Sequence, residues 1–139
     1  MKKPVFVVDS FALLAYFQGE SAALKVKEIL VEARNGHAVV LHSPINLGEI
    51  IYTVERKLGV DTSREILEDI LALPVQLAEV TMDRVVSAAH IKANFPVSYA
   101  DAFAVALAQE MRATVITGDP EFKRVESLVE VLWLTTCSS

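Results

Sequence analysis

Val5-Phe6-Val7-Val8-Asp9-Ser10 decides the fold of this chain. Four apolar residues in a row, three of them β-branched, describe a strand buried on both faces, and such strands belong to parallel sheets covered by helices. The run stops at a carboxylate. In open α/β sheets ligands sit beyond the carboxyl ends of the strands, so Asp9 stands where chemistry is done. Asp9 equally suits the N-cap of a following helix, because Asp accepts from the free N–H groups of a first turn.

Working outward, Phe11–Phe17 reads as a short helix broken by Gly19. Ala22, Val26, Ile29, Leu30 and Ala33 form one face of a second helix, with Ser21 as cap and Gly36 as terminator. Ala38–Leu41 is a second strand. Ser43-Pro44 opens a helix that runs to Leu58 and Gly59, and Thr62-x-x-Glu65 is a capping box for the next, ended by Pro74. These two helices are expected to form a hairpin. Val75–Val80 reads as a third strand, and Thr81 caps a helix with Met82, Val85, Val86 and Ala89 inward, closed by Phe95-Pro96. Ser98 starts an alanine-rich helix to Met111, Thr114–Thr117 is a fourth strand, Pro120–Arg124 a helical turn and Val129–Leu134 a fifth strand. Strands alternating with helices predict right-handed crossovers and a three-layer α/β/α sandwich with a five-stranded parallel sheet.

The 139 residues fit one domain, 1–139, long enough to bury a core. Hydrophobic residues make up 53% and charged residues 22%, an apolar balance that predicts a covered surface and hence a homodimer or another partner. With 18 acidic against 13 basic residues the net charge is −5, so a nucleic acid would have to be held locally, by a basic patch or by metal ions. Cys137 is the only cysteine, which leaves no disulfide framework and makes a reducing cytoplasm the expected setting. Met1-Lys2-Lys3 begins like a signal peptide, but Asp9 and Ser10 interrupt the apolar run. No apolar run approaches the roughly 20 residues of a membrane span.

Four carboxylates lack a local reason to be where they are. Asp101 lies in the helix Ser98-Tyr99-Ala100-Asp101-Ala102-Phe103-Ala104-Val105, which is apolar nearly all round, with no basic residue three or four positions away. Ser98-x-x-Asp101 is also a capping box. Glu49 sits in the helix Pro44–Leu58 among Ile45, Asn46, Tyr52 and Thr53, again without a basic neighbour, and its other reading is a solvated outer face. Gly48 beside it marks a place of close backbone approach. Asp119 follows the strand Thr114–Thr117 by one glycine, and Asp119-Pro120 reads equally as a cap with proline at the first helical position. Clustered carboxylates repel unless a cation is present, and Mg2+ or Mn2+ suits an all-oxygen set. His37, His42 and His90 are scattered without metal-ligand spacing, which argues against zinc and gives each a structural role.

These residues resemble a PIN-domain ribonuclease, most closely the VapC-type toxins of toxin–antitoxin pairs. The matching pieces are Val7-Val8-Asp9-Ser10, the helical Glu49, Ser98-Tyr99-Ala100-Asp101-Ala102 and Ile116-Thr117-Gly118-Asp119-Pro120-Glu121-Phe122, in the family's order and spanning about Pro4 to Leu134, with a short tail beyond. The resemblance implies strand order 3-2-1-4-5, with Asp9, Glu49, Asp101 and Asp119 as the acidic Mg2+- or Mn2+-binding quartet, and Ser10 and Thr117 as hydrogen-bonding groups behind it. Many relatives have Asp where this chain has Glu121, a departure that bears on a second metal. The implied reaction is hydrolysis of an RNA phosphodiester by metal-activated water, leaving 5′-phosphate and 3′-hydroxyl ends, with tRNA or another structured RNA as substrate and an antitoxin as partner. Lys123 and Arg124, close after Asp119, are candidate phosphate contacts or else solvated surface charges. The hairpin Pro44–Leu73 is the candidate surface for a second copy or an antitoxin. Two other classes stand beside this reading: a PIN-like interaction module without activity, and a phosphotransfer receiver. The receiver pattern has adjacent acids on its first strand and a lysine after its last. Here Val7-Val8 precede Asp9, and Thr135-Thr136 follow the last strand.

Overall fold

A computed structural model describes residues 2–134; Cys137 and Thr135-Thr136 lie outside the described residues. At its centre β1 (Val5–Val8) pairs in parallel with β2 (Val39–His42) on one side and β4 (Thr114–Thr117) on the other. β3 (Gln76–Leu77) adds to β2 and β5 (Val131–Trp133) to β4, all parallel, in the order β3-β2-β1-β4-β5. The five-stranded parallel sheet and its order are those expected.

The apolar run of β1 is explained by what covers each face. Val7 belongs to a core built with α5 (Met82–Asn94) and α6 (Tyr99–Met111). Val8 belongs to one built with α1 (Ser10–Phe17), α2 (Leu24–Arg34), α3 (Pro44–Leu58) and α4 (Val60–Ala72). Successive strand residues point to opposite faces, so both must be apolar where both faces are covered.

Helix starts are set by single side chains. Asp9, Ser43, Thr81 and Ser98 each accept a hydrogen bond from a backbone N–H in the first turn of α1, α3, α5 and α6. α3 packs on α4 as the expected hairpin, and leaves Tyr52, Leu58, Val60 and Leu71 exposed.

Several boundaries differ from expectation. β3 and β5 are shorter than Val75–Val80 and Val129–Leu134, because each is an edge strand with a partner on one side only. α4 starts at Val60, directly after Gly59 at φ 93°, so Thr62 lies inside the helix and forms no cap. α2 begins at Leu24, after a 3₁₀ turn over Ser21–Ala23. On α5 the buried residues are Ala88 and Ile91, whereas Met82 and Val86 are 75% and 59% exposed. The helix is rotated from the expected stripe because it docks on alanine-rich α6 through these two side chains. Among the described residues no helix is long and apolar enough to cross a membrane.

Candidate metal centre

β1 and β4 end side by side, with Val8 opposite Ile116, which brings Asp9 and Asp119 to one edge of the sheet. Thr117 joins them: its hydroxyl donates to Asp9 Oδ2 and accepts from the Asp119 N–H at 3.0 Å. Asp9 Oδ1 accepts from the Ala12 N–H at 2.8 Å, so the helix-cap reading of Asp9 holds as geometry, and the same residue stands at the site. Asp119 repeats the arrangement, its Oδ1 accepting from the Glu121 N–H at 2.9 Å at the start of the 3₁₀ helix Pro120–Val125. A carboxylate has about four lone-pair positions, so capping leaves ligand capacity free.

Asp101 arrives from the first turn of α6, where Ser98 Oγ accepts from its N–H at 3.1 Å. Its carboxylate, with those of Asp119 and Glu121, makes a group whose oxygens all lie within 4.8 Å of one another. Asp9 and Glu49 stand outside that tight group but inside its electrostatic field. Burial pushes the Asp9 carboxyl up to about 7, against the bonds from Thr117 and Ala12 and with the Asp101 and Asp119 charges adding to the rise. Burial also pushes Asp101 up to about 7, with Asp119 the next cause and Glu49 and Glu121 contributing. Asp9 is 1% and Asp101 7% exposed. Buried Asp9 and Asp101, with the charges of Asp119, Glu121 and Glu49 near them, form an oxygen-only donor set that fits a hard divalent cation.

Ser10 bonds none of the acids; its hydroxyl donates to the Asn46 backbone oxygen at 3.1 Å. Arg124 donates to the Pro96 carbonyl at 2.7 Å and stands 3.6 Å from Glu121 Oε1, while Lys123 is exposed. No atom comes near the open side of Gly48, which is exposed, so the expected close approach there is absent. It occurs at Gly118, where a Cβ would fall on the ring of Phe11. His42 is fully buried; its Nδ1–H donates to the Val8 carbonyl at 2.8 Å, and burial pushes the ring pKa down to about 4. Asn46 is fully buried on α3, and its signal in the sequence is a polar residue on the apolar stripe of Leu47, Ile50 and Val54.

The family model of the PIN domain matches residues 6–128. Among solved structures the chain is similar to VapBC2 of Rickettsia felis bound to a promoter DNA fragment, at TM-score 0.73 and 14% identity over 94% of this chain and 99% of that one. It is similar to VapC20 of Mycobacterium tuberculosis, a Sarcin-Ricin loop cleaving toxin, at 0.69 and 22% over 91% and 98%. DNA-bound VapBC of Salmonella typhimurium gives 0.73 and 17% over 97% and 100%. No curated protein matches the sequence.

Proposed function

Since the chain belongs to the PIN-domain family, we propose that it is a Mg2+- or Mn2+-dependent endoribonuclease of one domain, and the cytoplasmic toxin of a toxin–antitoxin pair. The observation that carries this reading is the convergence of Asp101, Asp119 and Glu121 within 4.8 Å, with Asp9 buried behind them. Asp9, Glu49, Asp101 and Asp119 would hold the cation, with Glu121 as a further ligand. When bound, the cation supplies Lewis-acid activation of water and neutralises charge at the scissile phosphate. The chain's own residues orient and exclude. Thr117 aims Asp9 and anchors the Asp119 backbone, and Ser98 sets the turn that carries Asp101. No side chain need serve as nucleophile, and Lys123, with Arg124 after release from Glu121, would meet the RNA backbone locally despite the net charge of −5.

RNA as substrate is supported by the likeness to VapC20, whose description names cleavage of the sarcin–ricin loop. An antitoxin partner is supported by the VapBC complexes among the similar structures. The exposed Tyr52, Leu58, Val60 and Leu71 of α3 and α4 form the surface we assign to a second copy or to that antitoxin. The test is cleavage of tRNA and other structured RNAs with Mg2+ or Mn2+, with and without EDTA. Metal-dependent, EDTA-sensitive cleavage is expected, lost in Asp9→Asn. Cleavage that persists in EDTA, or in Asp9→Asn at the parent rate, would sink the assignment.

A further inference from the structure

Asn46 joins the two elements that carry the buried acids. It sits in the first turn of α3, fully buried, and its side-chain Nδ2 donates to the Ala100 carbonyl at 3.2 Å, one residue before Asp101. On its other side the Ser10 hydroxyl, one residue after Asp9, donates to the Asn46 backbone oxygen at 3.1 Å, and Nδ2 lies 3.5 Å from the same hydroxyl. The amide orientation follows from the Ala100 contact, since the reverse would set two oxygens face to face. α3 packs against both α1 and α6, so this one residue spans the step between them.

Folding alone does not account for an amide here. A buried polar group is costly unless its hydrogen bonds are made, and Asn46 Oδ1 is buried with no donor among the described residues. An apolar side chain on the stripe of Leu47 and Ile50 would fill the space without that cost. What an apolar residue would lose is the side-chain tie to Ala100 and the longer contact to the Ser10 hydroxyl; the bond from Ser10 to the backbone oxygen of residue 46 would remain.

We propose that Asn46 is a positioning residue of the carboxylate centre: through Ser10 and Ala100 it fixes the spacing of Asp9 and Asp101, and with it the affinity of the site for a divalent cation. This rests on the metal-centre reading above. Cations bind most tightly to carboxylates whose separation is set before binding, and groups behind the ligands tune affinity by fixing it.

The experiment is calorimetric titration of Mn2+ into the full chain, with urea unfolding of the metal-free protein alongside. Asn46→Ala is expected to weaken Mn2+ binding about tenfold, and to lower kcat for RNA more than it raises KM. Ser10→Ala is expected to weaken binding about threefold, with the double variant weaker by less than the product, because the contact between Asn46 Nδ2 and the Ser10 hydroxyl is common to both. Asn46→Ser, smaller but still polar, carries the same test if Asn46→Ala does not fold. Variants that lose stability yet bind Mn2+ within about twofold of the parent overturn the proposal and leave Asn46 merely structural. A parent that binds no Mn2+ instead overturns the metal centre itself.

Discussion

Replacing Asp101 by Asn removes a charge from the most crowded part of the molecule while keeping the shape of the side chain. The carboxyl is pushed up from 3.8 to about 7, first by burial and next by Asp119. The sign follows from linkage. The unfolded chain ionises Asp101 near pH 4 and the folded chain only near 7, so stability is greatest below pH 4 and falls as pH rises to 7. A rise of that size corresponds to a ceiling of about 4 kcal/mol. Asp101 titrates coupled to the charges beside it, so about half the ceiling, roughly 2 kcal/mol, is the expected gain at pH 8. Asn mimics the protonated acid and carries no such loss. Urea unfolding in EDTA should therefore find Asp101→Asn more stable than the parent at pH 8 and equal to it near pH 4. Saturating Mn2+ should raise the Tm of the parent and hardly that of the variant. A variant destabilised equally at both pH values would refute the claim that burial and neighbouring charge raise the Asp101 carboxyl.

The His42 ring, buried with its Nδ1–H on the Val8 carbonyl, should stay neutral until about pH 4, to be followed by NMR of the ring nitrogens. Its folded pKa is depressed, so its contribution is fully present above pH 6.5 and lost as pH falls towards 4, by at most about 3 kcal/mol; a ring titrating at 6.5 would overturn the burial account. Gly118→Ala should cost about 1–2 kcal/mol in urea unfolding, because its Cβ falls on the Phe11 ring, and Phe11→Ala should restore most of it. Equal costs in the presence and absence of Phe11 would show that the ring is not the obstacle.

Much of the site was legible from short-range chemistry. Asp9, Asp101 and Asp119 stand out because each lies at a strand end or in an apolar helix without a basic neighbour, and each is where that reading puts it. The tight oxygen group takes Glu121 from the 3₁₀ helix, and Glu49 raises Asp101 through its charge. Ser10, beside Asp9 in the chain, bonds the α3 backbone. Nothing within one helix turn specifies these distances.

The sequence by itself determined the parallel sheet, because a doubly covered strand must be apolar on both faces, and the starts of α1, α3, α5 and α6, because a cap bonds within its own first turn. Tertiary structure alone decided which oxygens meet, which face α5 buries and what Asn46 bonds. Those outcomes depend on how elements dock. The bond from Ser10 to Asn46 crosses 36 residues, that from Asn46 to Ala100 crosses 54, and that from Thr117 to Asp9 crosses 108. Local pattern says that a side chain is buried or capped, and only the packed core says against what.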